Sequence, residues 1–147
     1  MTNYSTKIKA KDFFKEFLDK TKDIDIEDYK KCTKYTPKVT AAIKECIEHL
    51  GLLSSTEYYR IDVIGYSKPE SGFEEKVKIA SKLGLKPHLW RLEIAVEHEN
   101  ASDDWTDELT KLLYISCPLR VLICYNHADK RDDSNLGWKK FEFMNLL

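Results

Sequence analysis

A chain of 147 residues, 42% hydrophobic and 33% charged, is the size of one domain and long enough to bury roughly 68–70% of its unfolded surface. Its 24 Lys and Arg against 25 Asp and Glu leave a formal net charge of -1, which excludes a globally basic nucleic-acid coat but not a local basic face. Four Pro and five Gly are too few for a linker-rich protein, and no apolar run approaches the ~20 residues of a membrane span.

The first residues, Met1 to Lys7, lack an apolar segment, so no cleaved secretion signal is expected. Cys32, Cys46, Cys117 and Cys124 form no CxxC spacing, and two of them sit in apolar runs; reduced, buried thiols are expected. The expectation is one soluble, cytoplasmic domain over residues 1–147. Phe13, Phe14, Phe17 and Leu18 recur at helical spacing among charges and predict an amphipathic helix. A short second helix is expected from Ile26 to Cys32. The third is the clearest: Thr36 as cap, Pro37 at the first helical position, an apolar stripe of Val39, Ala42, Ile43, Cys46, Ile47 and Leu50, and Gly51 as stop.

Residues 58–66, rich in β-branched and aromatic side chains, read as one strand. Residues 73–83 fit a helix stopped by Gly84, with a strand over 76–80 as the alternative. Residues 89–99 alternate strictly: Trp90, Leu92, Ile94 and Val96 to one side, Arg91, Glu93, Ala95, Glu97 and Glu99 to the other. A turn at 100–103 leads into a helix with Trp105, Leu109, Leu112 and Leu113 on its apolar face. After Pro118, residues 119–125 read as a buried strand. Residues 126–137 are expected to be a loop, and the apolar residues 138–147 to dock on the domain. The order predicts an α/β domain.

The chemistry concentrates on the strand 89–99. Glu97 and Glu99 lie two residues apart on one face, about 6–7 Å from each other. Asp62 interrupts the apolar run Ile61, Val63, Ile64, where a carboxylate is costly unless paired or ligated. Three converging carboxylates would repel one another, and Mg²⁺ or Mn²⁺ would relieve that repulsion. The plainer alternative is a solvated sheet face.

The succession Arg60-Ile61-Asp62-Val63, then Ile94-Ala95-Val96-Glu97-His98-Glu99-Asn100, a helix, and Leu119-Arg120-Val121-Leu122-Ile123 resembles the PD-(D/E)XK nuclease superfamily over roughly residues 36–125. The resemblance implies a restriction-endonuclease-like core of helix, mixed β-sheet, helix and strand, here with an N-terminal helical extension. By position Asp62 matches the motif Asp, Glu97 the acidic residue, and Glu99 the place of the Lys, as in the minority of restriction endonucleases with an ExE pair. No Pro precedes Asp62, and one strand is read where the resemblance implies two before the central one.

Lys111, on the helix that follows, is the candidate to supply the missing positive charge, although a solvated Lys is the default. His98 falls on the apolar side of its strand and reads as a hydrogen-bonded structural residue. Glu45 points away from its helix stripe, and Glu93 lies deeper than Glu97 and Glu99. The resemblance implies a metal-dependent nuclease acting on DNA, with Asp62, Glu97 and Glu99 as metal ligands and catalytic residues together with Lys111. Two alternatives stay open: a non-catalytic domain of the same fold that binds nucleic acid or a protein, and an unrelated fold with a solvated acidic face.

Overall fold

The computed structural model of the chain describes residues 8–29, 31–67, 72–85, 91–100 and 105–125. Its elements are α1 (Ala10–Thr21), α2 (Ile26–Tyr29), α3 (Cys32–His49), β1 (Leu53–Tyr58), β2 (Ile61–Ser67), α4 (Phe73–Lys82), β3 (Arg91–Glu99), α5 (Thr106–Leu113) and β4 (Leu119–Cys124). The strands form one sheet in the order β1-β2-β3-β4. The first three run antiparallel and β4 runs parallel to β3, as a helical crossover through α5 requires. The fold is therefore α/β with a mixed sheet. Residues 89–90 of the expected strand, 101–103 of the expected turn, and the expected loop and docked tail over 126–147 lie outside the described residues. No helix among those described is long and apolar enough to cross a membrane.

Both faces of the sheet are covered. On one, Val63, Ile94 and Val96 pack under the α3 stripe of Val39, Ile43, Cys46 and Ile47, with Phe13 of α1 behind it. On the other, Ile61, Ile64 and Ala95 meet Leu112 of α5. The stripe of α1 is narrower than its sequence pattern: Phe13 is buried and stacks on Phe17, whereas Phe14 and Leu18 are exposed. One face against α3 is all this helix has to cover.

Helix α3 begins a turn earlier than the Thr36-Pro37 signal predicts, and α2 ends correspondingly sooner, at Tyr29. Lys34 and Tyr35 already donate to the Lys31 carbonyl. Tyr35 is the physical reason: its ring lies edge-on to Tyr29 and Tyr125, and this packing overrides the local start signal. The C-terminus follows expectation. Gly51, at φ 84, lets its own N–H reach the Glu48 carbonyl and that of Leu52 the Ile47 carbonyl, closing a Schellman motif. Residues 73–82 resolve as helix.

Five other readings are corrected. The predicted strand at 58–66 is the second half of a hairpin. Tyr58 pairs with Ile61 across a two-residue turn, Tyr59-Arg60, whose φ angles of 47 and 68 are those of a type I′ turn. Glu93 is a bulge: Gly65 pairs with Ile94 but Tyr66 pairs with Leu92, so the alternation resets and Leu92 packs on the α5 side. Strand β4 is half-buried, with Arg120 and Cys124 exposed, because it has a described neighbour on one side only. All four cysteines are free, yet only Cys46 is fully buried, and Leu113 at the end of α5 is exposed.

Candidate active site at the end of the central strand

The ladder between β2 and β3 ends at the pair Val63 and Val96, leaving Asp62 and Glu97 as the next residues on adjacent antiparallel strands. Residues opposite each other in such a register share a face. The Asp62 carboxylate also takes over the ladder's work, since its Oδ2 accepts the His98 backbone N–H at 2.8 Å. Glu97 is 0% exposed. Lys111 Nζ of α5 stands 3.0 Å from Glu97 Oε1, while Glu97 Oε2 has no hydrogen-bond partner among the described residues.

Lys111 is itself held from three sides. It pairs with Glu97 and with Glu108 one turn earlier on α5, and donates to the Arg60 carbonyl at 3.2 Å. Burial works against its charge, but Glu108 and Glu97 outweigh that and hold its pKa above the ordinary lysine range. For Glu97 burial wins: with Asp62 and Glu108 adding repulsion, its pKa is pushed up to about 8 although Lys111 pulls it down.

Of the residues singled out from sequence, Asp62, Glu97 and Lys111 are brought together. Glu99 ends β3, half-buried, and among the described residues no group of three or more His, Cys, Asp or Glu side chains converges to hold a metal ion. Glu93 is buried deeper in the sheet, where its Oε1 accepts from Arg91 Nε at 2.6 Å and from Ser67 Oγ at 3.1 Å. Glu45 is exposed and pairs with Lys20 at 3.5 Å. His98 faces α3; its Nε2 lies 3.1 Å from the Tyr125 hydroxyl, to which Tyr35 donates at 2.9 Å, and burial lowers its pKa. It is therefore a neutral, packed histidine.

Sequence reasoning missed Glu108, whose i, i+3 spacing to Lys111 was the available signal. It also missed a pocket of about 360 Å³ beside Lys111, lined by Tyr58, Tyr59, Ile61, Ile64, Leu92, Lys111, Tyr114 and Ile115. No family model, curated protein or solved structure matches the chain.

Proposed function

We propose that the chain is a metal-dependent nuclease of the PD-(D/E)XK type, hydrolysing DNA phosphodiester bonds at Asp62, Glu97 and Lys111. The observation that carries this reading is the fully buried Glu97. Its Oε2 is orphaned, Asp62 sits across the strand gap, and a lysine from the following helix stands at its other oxygen. The order α3, β1, β2, α4, β3, α5, β4 supports the same reading in part: it contains the helix, three strands, helix and strand that the resemblance implies, with α4 interposed between the second and third strands.

The donor set suits Mg²⁺ or Mn²⁺. Mg²⁺ keeps several waters and takes one or two carboxylates together with substrate phosphate rather than a full protein cage. Asp62 and Glu97 would hold the ion, Asp62 through the oxygen that does not accept from His98. When bound, such an ion polarises a phosphoryl oxygen and lowers the pKa of the attacking water. In the hydrolysis the water oxygen bonds to phosphorus, the bond from phosphorus to the leaving oxygen breaks, and a proton passes from the water to that oxygen. Lys111 offers the fixed positive charge that the phosphoryl oxygens need, and Glu108 keeps it aimed. Glu99, farther along the same strand, would position the water. The bond between Asp62 and the His98 amide favours the second reading, a non-catalytic domain of this build that binds nucleic acid, because it occupies one carboxylate oxygen.

The test is cleavage of single- and double-stranded DNA by the purified chain. Activity should require Mg²⁺ or Mn²⁺, vanish in EDTA, and fall about 10²–10³-fold in Asp62→Asn and Glu97→Gln, the scale of losing one group that stabilises transition-state charge. Asn at 62 still offers the His98 amide an acceptor, and Gln at 97 matches the shape of the protonated carboxyl that burial favours there, so both variants should fold. A folded protein inert across metals and substrates would select the non-catalytic reading, and cleavage that survives Asp62→Ala would expose a contaminant.

A further inference from the structure

The β1–β2 turn is built from the wrong residues. Two-residue turns with both φ angles positive favour Asn-Gly, yet here the positions are Tyr59 and Arg60, and the preceding Glu57 is also left-handed at φ 54. Such conformations in non-glycine residues persist only where the surroundings hold them, and they concentrate at binding sites. What this turn gains is placement. The Arg60 carbonyl accepts from Lys111, and the Tyr59 ring is 76% exposed while lining the pocket beside that lysine. Tyr114, just past the end of α5, lines the same pocket and is 88% exposed. Tyr58 meets Tyr59 edge-to-face, with ring centres 4.8 Å apart.

We infer that this pocket seats an unstacked nucleobase, so that the site acts on single-stranded or locally opened nucleic acid; the inference rests on the nucleic-acid reading above and narrows its substrate. Charge selects this occupant over a purely apolar one. Lys111, paired with Glu97 and Glu108, is the one charged residue in the lining, and Arg60, exposed in the adjoining turn, is a second basic residue near it in the chain's fold. Tyrosine faces with aliphatic walls and a cation at the edge are what a base with its phosphate requires, and stacking of this kind tolerates any sequence. A base in an intact duplex cannot enter such a pocket without leaving its stack. Lys111 belongs to both places, so a base held here sets its phosphodiester against Glu97 and Asp62.

The experiment measures fluorescence anisotropy of a labelled oligothymidylate on full-length Glu97→Gln protein in EDTA, which removes turnover. A strand of the same length lacking bases, and a duplex, serve as comparisons. The oligothymidylate should bind about tenfold more tightly than either, and Tyr59→Ala or Tyr114→Ala should each remove most of that preference while Tyr59→Phe retains it. Replacing the turn by Tyr59→Asn with Arg60→Gly should raise the thermal midpoint and still lose the preference, which a merely structural turn would not do. Tyr114 belongs to a different element, so its variant remains informative if changes at Tyr59 disturb the hairpin. Equal affinity for the base-free strand or the duplex, unchanged affinity in the tyrosine variants, or no binding at all would overturn the inference. Metal-dependent cleavage without base-dependent binding would overturn it while sparing the nuclease; base-dependent binding without cleavage would do the reverse.

Discussion

Exchanging Lys111 for methionine should leave the fold nearly as stable at pH 6 and cost it about 1 kcal/mol at pH 9, because Glu97, with its pKa at about 8, gains about 1.4 kcal/mol per pH unit from ionising beside the lysine and the variant forfeits that gain. The pH dependence comes from Glu97, which faces Lys111, Asp62 and Glu108. Burial first, then the two carboxylates, hold its pKa at about 8 against Lys111, from an ordinary value of 4.5. The folded chain thus keeps a proton that the unfolded chain has released. The stability this proton provides is complete below about pH 4.5 and is lost as pH rises through 8. At pH 6 Glu97 is neutral with or without Lys111, so the methionine matters little. At pH 9 the native lysine faces a buried carboxylate, and removing it pushes the Glu97 pKa higher and extends the loss. Urea unfolding at the two pH values is the check. Equal destabilisation at both would mean that Lys111 acts through the packing of its stem, and Glu97→Gln should flatten the profile in either background.

Gly65→Ala should cost about 3 kcal/mol, the upper part of the usual range for overpacking a core. Gly65 lies in β2 beneath α3, beside the bulge. An added Cβ would collide with Ile94 Cγ2 and fall 2.7 Å from Ile47 Cγ2 and 3.1 Å from Leu52 Cδ1. All three neighbours are buried, Ile94 in β3, Ile47 in α3 and Leu52 in the connection from α3 to β1, so none can yield without shifting α3 against the sheet. Combining the change with Ile47→Ala should cost less than the sum of the two, because the cavity receives the new methyl group. Strict additivity in denaturant unfolding would mean that the strain lies in the backbone of β2 instead.

These residues also mark what could be read from the chain alone. The α3 stripe, its Gly51 stop and the alternation of Ile94, Ala95 and Val96 are local signals, and each located its element. The hairpin escaped because Tyr59 and Arg60 carry no turn chemistry: their conformation is imposed by what packs around them. The bulge at Glu93 escaped because a period-two pattern cannot announce an extra residue whose partner strand is unknown. At the site, Asp62 and Glu97 were legible as carboxylates among β-branched neighbours. Their juxtaposition depended on pairing between β2 and β3. The reach of Lys111 depended on the crossover of α5, and the tyrosine pocket on three segments distant in sequence.

The bond from Asp62 to the His98 amide has a consequence for communication through the sheet. In a regular ladder an amide is held by a backbone carbonyl, fixed in place by its own strand. Here it is held by a side-chain carboxylate of the candidate site, which can turn about its own bonds. The peptide unit it grips carries the imidazole that packs on Tyr125 and, through it, reaches Tyr35 of α3. Anything that draws the carboxylate forward slackens that amide and loosens the aromatic layer on the far side. The protection of one N–H against solvent exchange is therefore a gauge, readable from the rear of the sheet, of what occupies its front.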